Sequence, residues 1–132
     1  MDPNKVFAID PTLANDGKWF DYRDGSRVRV ARLNNDKFRK IVRMKLKPYG
    51  MVRNVPDQVM DDVTCRAMAE SILLGWDGFT SNGTPLAYST ETAHQLLKAL
   101  PDFRDEISQF ATAFEEYVKE GQEEQEKNSP TA

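Results

Sequence analysis

A small set of side chains could carry chemistry: His94, Cys65, the adjacent carboxylates Asp61-Asp62 and Glu115-Glu116, and a run of cations from Lys37 to Lys47. Catalysis would need a nucleophile within reach of a base, or two carboxylates facing each other across a cleft. His94 falls between Ala93 and Leu96 on an apolar-periodic segment, with no Ser or Cys in a Gly-flanked turn to activate. Neighbouring carboxylates on a helix diverge by about 100° and cannot act as an acid/base pair. Cys65 lies in an apolar-periodic segment, the setting of an inert packing thiol. Neither a phosphate-binding glycine loop nor a dinucleotide fingerprint is present. The expectation is a protein that is not an enzyme and takes no cofactor and no metal.

The cations are a different matter. Lys37, Arg39, Lys40, Arg43, Lys45 and Lys47 share one short segment, in which Phe38, Ile41, Val42 and Leu46 recur at helical spacing. Clustered Lys and Arg form the electrostatic footprint of phosphate binding. Phe, Trp and Tyr are not interleaved on that basic face as stacking platforms would require, and the whole chain carries a net charge of -3. That charge conceals a polarity: residues 1–53 hold 13 Lys/Arg against 6 Asp/Glu, and residues 54–132 hold 5 against 15. Pairing of the basic face with the acidic half of the same or a neighbouring molecule is the first reading, and nucleic acid the second.

The elements that must position these groups are legible from local signals. Lys18 to Tyr22 and Arg27 to Leu33 read as a β-hairpin around Asp24-Gly25, with Val28 and Val30 on one face and Arg27, Arg29 and Ala31 on the other. Before it, Val6 to Ile9 reads as a short strand stopped by Asp10-Pro11, with turn residues at Asn15-Asp16-Gly17. Asn34 to Asp36 can cap the basic helix, which stops near Pro48. Pro56-Asp57 starts a longer helix with Val59, Met60, Val63, Ala67, Met68 and Ile72 buried and Gly75 as its stop. Trp76 to Tyr88 reads as an irregular hairpin or packed loop around Ser81-Asn82-Gly83. Ser89 caps a helix carrying Ala93, Leu96, Leu97 and Leu100, and after Pro101 a last helix aligns Phe103, Ile107, Phe110, Phe114 and Tyr117.

A chain of 132 residues, 39% hydrophobic and 30% charged, is one ordinary globular domain, neither a membrane protein nor wholly disordered. One cysteine and one histidine rule out a disulfide scaffold and a structural zinc site. No run of about 18 apolar residues spans a membrane and no leader pattern opens the chain, so a cytoplasmic location is expected. The predicted fold is α+β, a mostly helical single domain over residues 1–121 with an N-terminal β-hairpin. Residues 122–132 are expected to form a flexible acidic tail.

Two stretches carry a resemblance. Arg29-Val30-Ala31-Arg32-Leu33-Asn34-Asn35-Asp36-Lys37-Phe38, continuing to Lys47-Pro48-Tyr49, is the first. The second is Ile72-Leu73-Leu74-Gly75-Trp76-Asp77-Gly78-Phe79, then Gly83-Thr84-Pro85-Leu86-Ala87-Tyr88-Ser89 and Ala93 to Leu97. In this order, over about residues 28–118, they resemble the tail assembly chaperones of long, non-contractile-tailed bacteriophages. The resemblance implies a non-enzymatic protein of the host cytoplasm. It would bind the helical, aggregation-prone tape measure protein, keep it soluble, and leave as tail tube protein polymerises, absent from the mature virion. It also implies a short form, beside a longer form made by ribosomal frameshifting. Glu126-Lys127-Asn128 permits a slippery A AAA AAC heptamer if encoded as GAA AAA AAC.

The resemblance carries no catalytic residues. On physical grounds the nominated partner or self-contact surface is the basic face of Arg39, Lys40, Arg43 and Lys47, with exposed members of the seam Phe103, Ile107, Phe110, Phe114 and Tyr117. The charge polarity leads us to expect a homo-oligomer that weakens with salt. Trp76 and Tyr88 are assigned to the fold.

Overall fold

The computed structural model describes residues 1–119, so the expected acidic tail over 122–132 lies outside the described residues. The chain forms short helices α1 (Pro3–Val6) and α2 (Pro11–Asp16), then the hairpin β1 (Lys18–Asp21) and β2 (Arg27–Val30). Helices α3 (Asp36–Leu46) and α4 (Asp57–Ser71) follow, then β3 (Leu73–Asp77), the two-residue strands β4 (Thr80–Ser81) and β5 (Thr84–Pro85), and helices α5 (Thr90–Ala99) and α6 (Pro101–Thr112). The expected α+β class is what is found, with helices around one small antiparallel sheet.

The hairpin closes as its turn residues dictate. Asp24 and Gly25 both take positive φ, 55° and 76°, and Tyr22 N–H donates to Ser26 O at 2.8 Å. β2 is the central strand, pairing antiparallel with β1 on one side and β3 on the other. Val28 and Val30 are fully buried, as alternation predicts, but Ala31 is buried too, because the chain has left the strand there and its N–H donates to Ile72 O.

Three expectations along the chain are corrected. Asp10-Pro11 starts a helix instead of ending a strand: Asp10 Oδ1 accepts from Thr12 N–H and Leu13 N–H while Pro11 takes the first helical position, where its missing N–H costs nothing. Asn15 and Asp16 belong to that helix, Gly17 ends it, and of the expected strand only Ile9 pairs, with Val118. Gly75 does not stop α4. The helix ends at Ser71, and Leu73–Asp77 turns into the third strand, which puts Gly75 opposite Arg29 and beneath the ring of Trp19.

Beneath the sheet, Val28, Val30, Leu73 and Trp76 meet Cys65, Met68, Ala69 and Ile72 of the α4 segment, Ala93 and Leu97 of α5, and Ile107 and Ala111 of α6. Val59 and Met60 of α4 are only half-buried, and Leu100 is exposed, since it lies in the corner that Pro101 forces between α5 and α6. Trp76 donates its indole N–H to Leu86 O at 2.8 Å, stacks on Phe79, and meets Tyr88 edge-on. The expected irregular hairpin is therefore a packed one, with Asn82 and Gly83 at positive φ in its turn.

Candidate functional site: a basic-rimmed groove on α3

Asn35 fixes where α3 begins. Its Oδ1 accepts from Phe38 N–H at 2.9 Å, satisfying an otherwise orphaned donor of the first turn, while its amide donates to Arg32 O and Ser71 O, each at 3.0 Å. The buried amide thereby ties the start of α3 to the end of α4. After Leu46 the chain makes two short helical turns, Lys47–Tyr49 and Val52–Asn54, and Gly50 between them reverses it at a φ of 71°.

That reversal brings Gly50 and Val52 back beside α3. Together they line an open groove of about 510 Å³, with Phe38, Val42 and Leu46 from α3 and Gly50 and Val52 from the turn that follows it. Asn34, Arg39, Arg43 and Lys47 line it as well, and the three cations are exposed. No residue of α3 is fully buried, so the apolar stripe is shared between contact with the core and this open groove. Val52 is 68% exposed, and Met51 beside it 54%.

Three of the four nominated cations therefore stand together on the groove, while Lys40 is exposed on α3 and does not line it. Arg39 pairs with Asp36 one turn earlier. Among the described residues, Arg43, Lys47 and Lys40 make no ion pair. Five carboxylates of the acidic half pair elsewhere: Glu116 with Lys18, Glu106 with Arg23, Asp61 with Arg104, Asp62 with Lys98 and His94, and Glu91 with Arg66. The basic face of α3 is thus not neutralised by the described acidic half of its own molecule.

The aromatic seam lies elsewhere and is partly interior. α6 ends at Thr112, Ala113 leaves helical geometry, and Phe114–Tyr117 forms a separate short turn, so the five residues do not make one continuous helical stripe as expected. Ile107 and Tyr117 are fully buried, and the Tyr117 hydroxyl lies 3.0 Å from Val30 O and 3.1 Å from Phe110 O. Phe103 and Phe110 are half-buried against Tyr22, Phe79 and Phe20. Phe114 packs against Phe7, which is itself 52% exposed.

The groups considered for catalysis also have structural partners. His94 is buried with Nε2 3.1 Å from Asp62, whose carboxyl is held below its ordinary range by the Lys98 ammonium first and His94 after it. Cys65 is buried, with the Arg104 guanidinium 3.0 Å from its sulfur. Among the described residues no group of three His, Cys, Asp or Glu side chains is placed to hold a metal, and no helix is long and apolar enough to cross a membrane.

The groove was half visible in the sequence. The cations announced themselves, but Val52 and Gly50 join the site only through the turn at Gly50, which no periodicity marks.

Neither curated proteins nor solved structures give a match to the chain. The family model for the YdaY prophage protein does, over residues 29–128, a span that begins within β2 and holds the whole groove and the aromatic seam. On that match the chain belongs to the YdaY prophage protein family.

Proposed function

We propose that this prophage-family protein is a tail assembly chaperone, a non-enzymatic protein that binds the tape measure protein stoichiometrically and keeps it soluble until tail tube protein replaces it. The reading places it in the host cytoplasm and outside the finished virion, with a longer frameshifted form and the tail tube protein as further partners. Its phage origin is coarser support. The structural observation that carries it is the open groove on α3, where half-buried Phe38, Val42 and Leu46 and exposed Val52 lie beside Arg43 and Lys47, which have no carboxylate partner among the described residues, a lining that suits a polypeptide partner better than a small molecule.

Co-expression with the tape measure protein of the same prophage tests the reading. A client that becomes soluble and co-purifies supports it. A client that stays insoluble with both the short form and any longer form overturns it. The same cations support a second reading, a small nucleic-acid-binding regulator. Its sign is duplex binding with a steep salt slope that is lost when Arg39, Lys40 and Arg43 are replaced.

A further inference from the structure

We infer that the α3 groove takes an amphipathic α-helix whose apolar row is bordered by carboxylates. The chaperone reading is what supplies such a helix in the cell; the shape and charge of the occupant follow from the groove itself.

Phe38, Val42 and Leu46 form one row at four-residue spacing, and Arg39, Arg43 and Lys47 form a second row one position on. Four-spaced rows are the ridges of a helix surface, and they interdigitate with the four-spaced ridges of another helix. At 1.5 Å per residue, α3 offers about 16 Å of such surface, or about three turns of an occupant. The apolar row would lie against the occupant's apolar row, with exposed Val52 adding to the apolar lining.

Charge then selects the flank. Arg43 and Lys47 have no carboxylate partner among the described residues, so carboxylates at matching positions on the occupant would meet free cations at the rim. A nucleic acid could use the cations but would leave exposed Val52 and the uncovered parts of half-buried Phe38, Val42 and Leu46 against water or against phosphate, where that apolar surface gains nothing. An extended strand would need an unpaired sheet edge, and the groove is walled by a helix and a turn.

The test titrates the full chain, at low salt, into a fluorescein-labelled helical peptide of about 20 residues with Leu at helical spacing flanked by Glu, alongside its Lys-flanked counterpart and a scrambled control. The Glu-flanked peptide should bind at least about tenfold tighter than either. Val52→Glu, at an exposed position whose replacement leaves the core intact, should weaken that binding at least about tenfold, and Arg39→Glu with Arg43→Glu should reverse the preference toward the Lys-flanked peptide. Equal binding of the two flanked peptides overturns the inference, as does undiminished binding by Val52→Glu. A short DNA duplex that binds more tightly than the Glu-flanked peptide also overturns it and assigns the face to nucleic acid. The two readings fail separately. A chain that prefers the Glu-flanked peptide yet leaves the tape measure protein insoluble keeps the groove assignment and loses the chaperone reading. An Arg39→Glu/Arg43→Glu chain that still solubilises the client keeps the chaperone reading and removes the groove from it.

Discussion

Replacing Tyr117 with Phe removes one oxygen atom and almost no packing, which makes its cost readable. The ring is fully buried, and its single hydroxyl proton is shared between Val30 O in the central strand and Phe110 O in α6, at 3.0 and 3.1 Å. The contact with Val30 O is buried, whereas Phe110 O is part-buried and also accepts from Ala113 N–H at 3.3 Å. A hydrogen bond of this kind contributes about 1 kcal/mol, and leaving the buried Val30 O short of a donor adds to the loss, so Tyr117→Phe should cost about 1–2 kcal/mol. In a domain of this size that lowers the melting temperature by about 4–8 °C.

The same residue gives an alkaline signature. Burial first, and the Glu116 carboxylate second, push its phenol well above the ordinary value of 10.0, so the folded state keeps a proton that the unfolded chain loses. The corresponding stability is fully present below the unfolded value near 10 and drains away as pH rises toward the folded value, at up to about 1.4 kcal/mol per pH unit for one tyrosine. Tyr22 and Tyr88 are shifted upward by burial as well, so the wild-type slope has several contributors, and Tyr117→Phe should remove one of them. Urea denaturation followed by circular dichroism at neutral pH and between about pH 9.5 and 11.5 measures both effects. A neutral-pH loss below about 0.5 kcal/mol, or an alkaline slope equal to wild type, would refute the buried, shared-proton account. Loss of client binding at unchanged stability would instead put Tyr117 at a surface.

Trp76→Ala should cost about 3 kcal/mol or more, because it empties a site stacked on Phe79 and edged by Tyr88 and also frees Leu86 O; a thermal melt near wild type would contradict its role in the fold. Asp62→Asn should cost less than about 1 kcal/mol at neutral pH, since the carboxylate is partly exposed to solvent. Because Lys98 and His94 lower its folded value, that contribution is present above the unfolded value near 3.8 and is lost as pH falls through the folded one, so acid titration of the two proteins should converge; a constant offset would refute the ion-pair account. Self-association through the charge polarity should weaken between low and high salt in sedimentation velocity, and a strictly monomeric protein at low salt and high concentration would count against it.

What the sequence revealed was local. Asp24-Gly25 fixed the hairpin turn, and Asn35 and Ser89 capped α3 and α5, because each acts on backbone atoms two or three residues away. What it hid depended on partners distant along the chain. Leu73–Asp77 continues the apolar pattern of α4 and becomes a strand only because β2 offers it an unpaired edge. The Phe103 to Tyr117 periodicity runs straight through Ala113, although the backbone breaks there so that Tyr117 can reach Val30. The groove has the same character: the cations are local, whereas the exposure of Val42 and Leu46 depends on how little of α3 its neighbours cover.

The cations of α3 are costly where they stand. Arg39 and Arg43 are like charges four residues apart, an arrangement that destabilises a helix by a few tenths of a kcal/mol, and Lys47 adds a third cation just past the helix end. Asp36 relieves only Arg39. The basic residues in the last turn gain something from the helix dipole, and the Asn35 cap and the packing on α4 hold the helix against the remaining repulsion. Stability alone would be served by placing a carboxylate at position 43 or by burying the half-buried Phe38, Val42 and Leu46 row completely. The fold does neither, although it pairs carboxylates with cations across α4, α5, α6 and the hairpin. Local disagreement with an otherwise consistent structure is the pattern expected of a functional surface. A ligand that brings carboxylates to Arg43 and Lys47 while covering the apolar row would remove both penalties at once, and for that reason the groove is better explained by what binds it than by what it does for the fold.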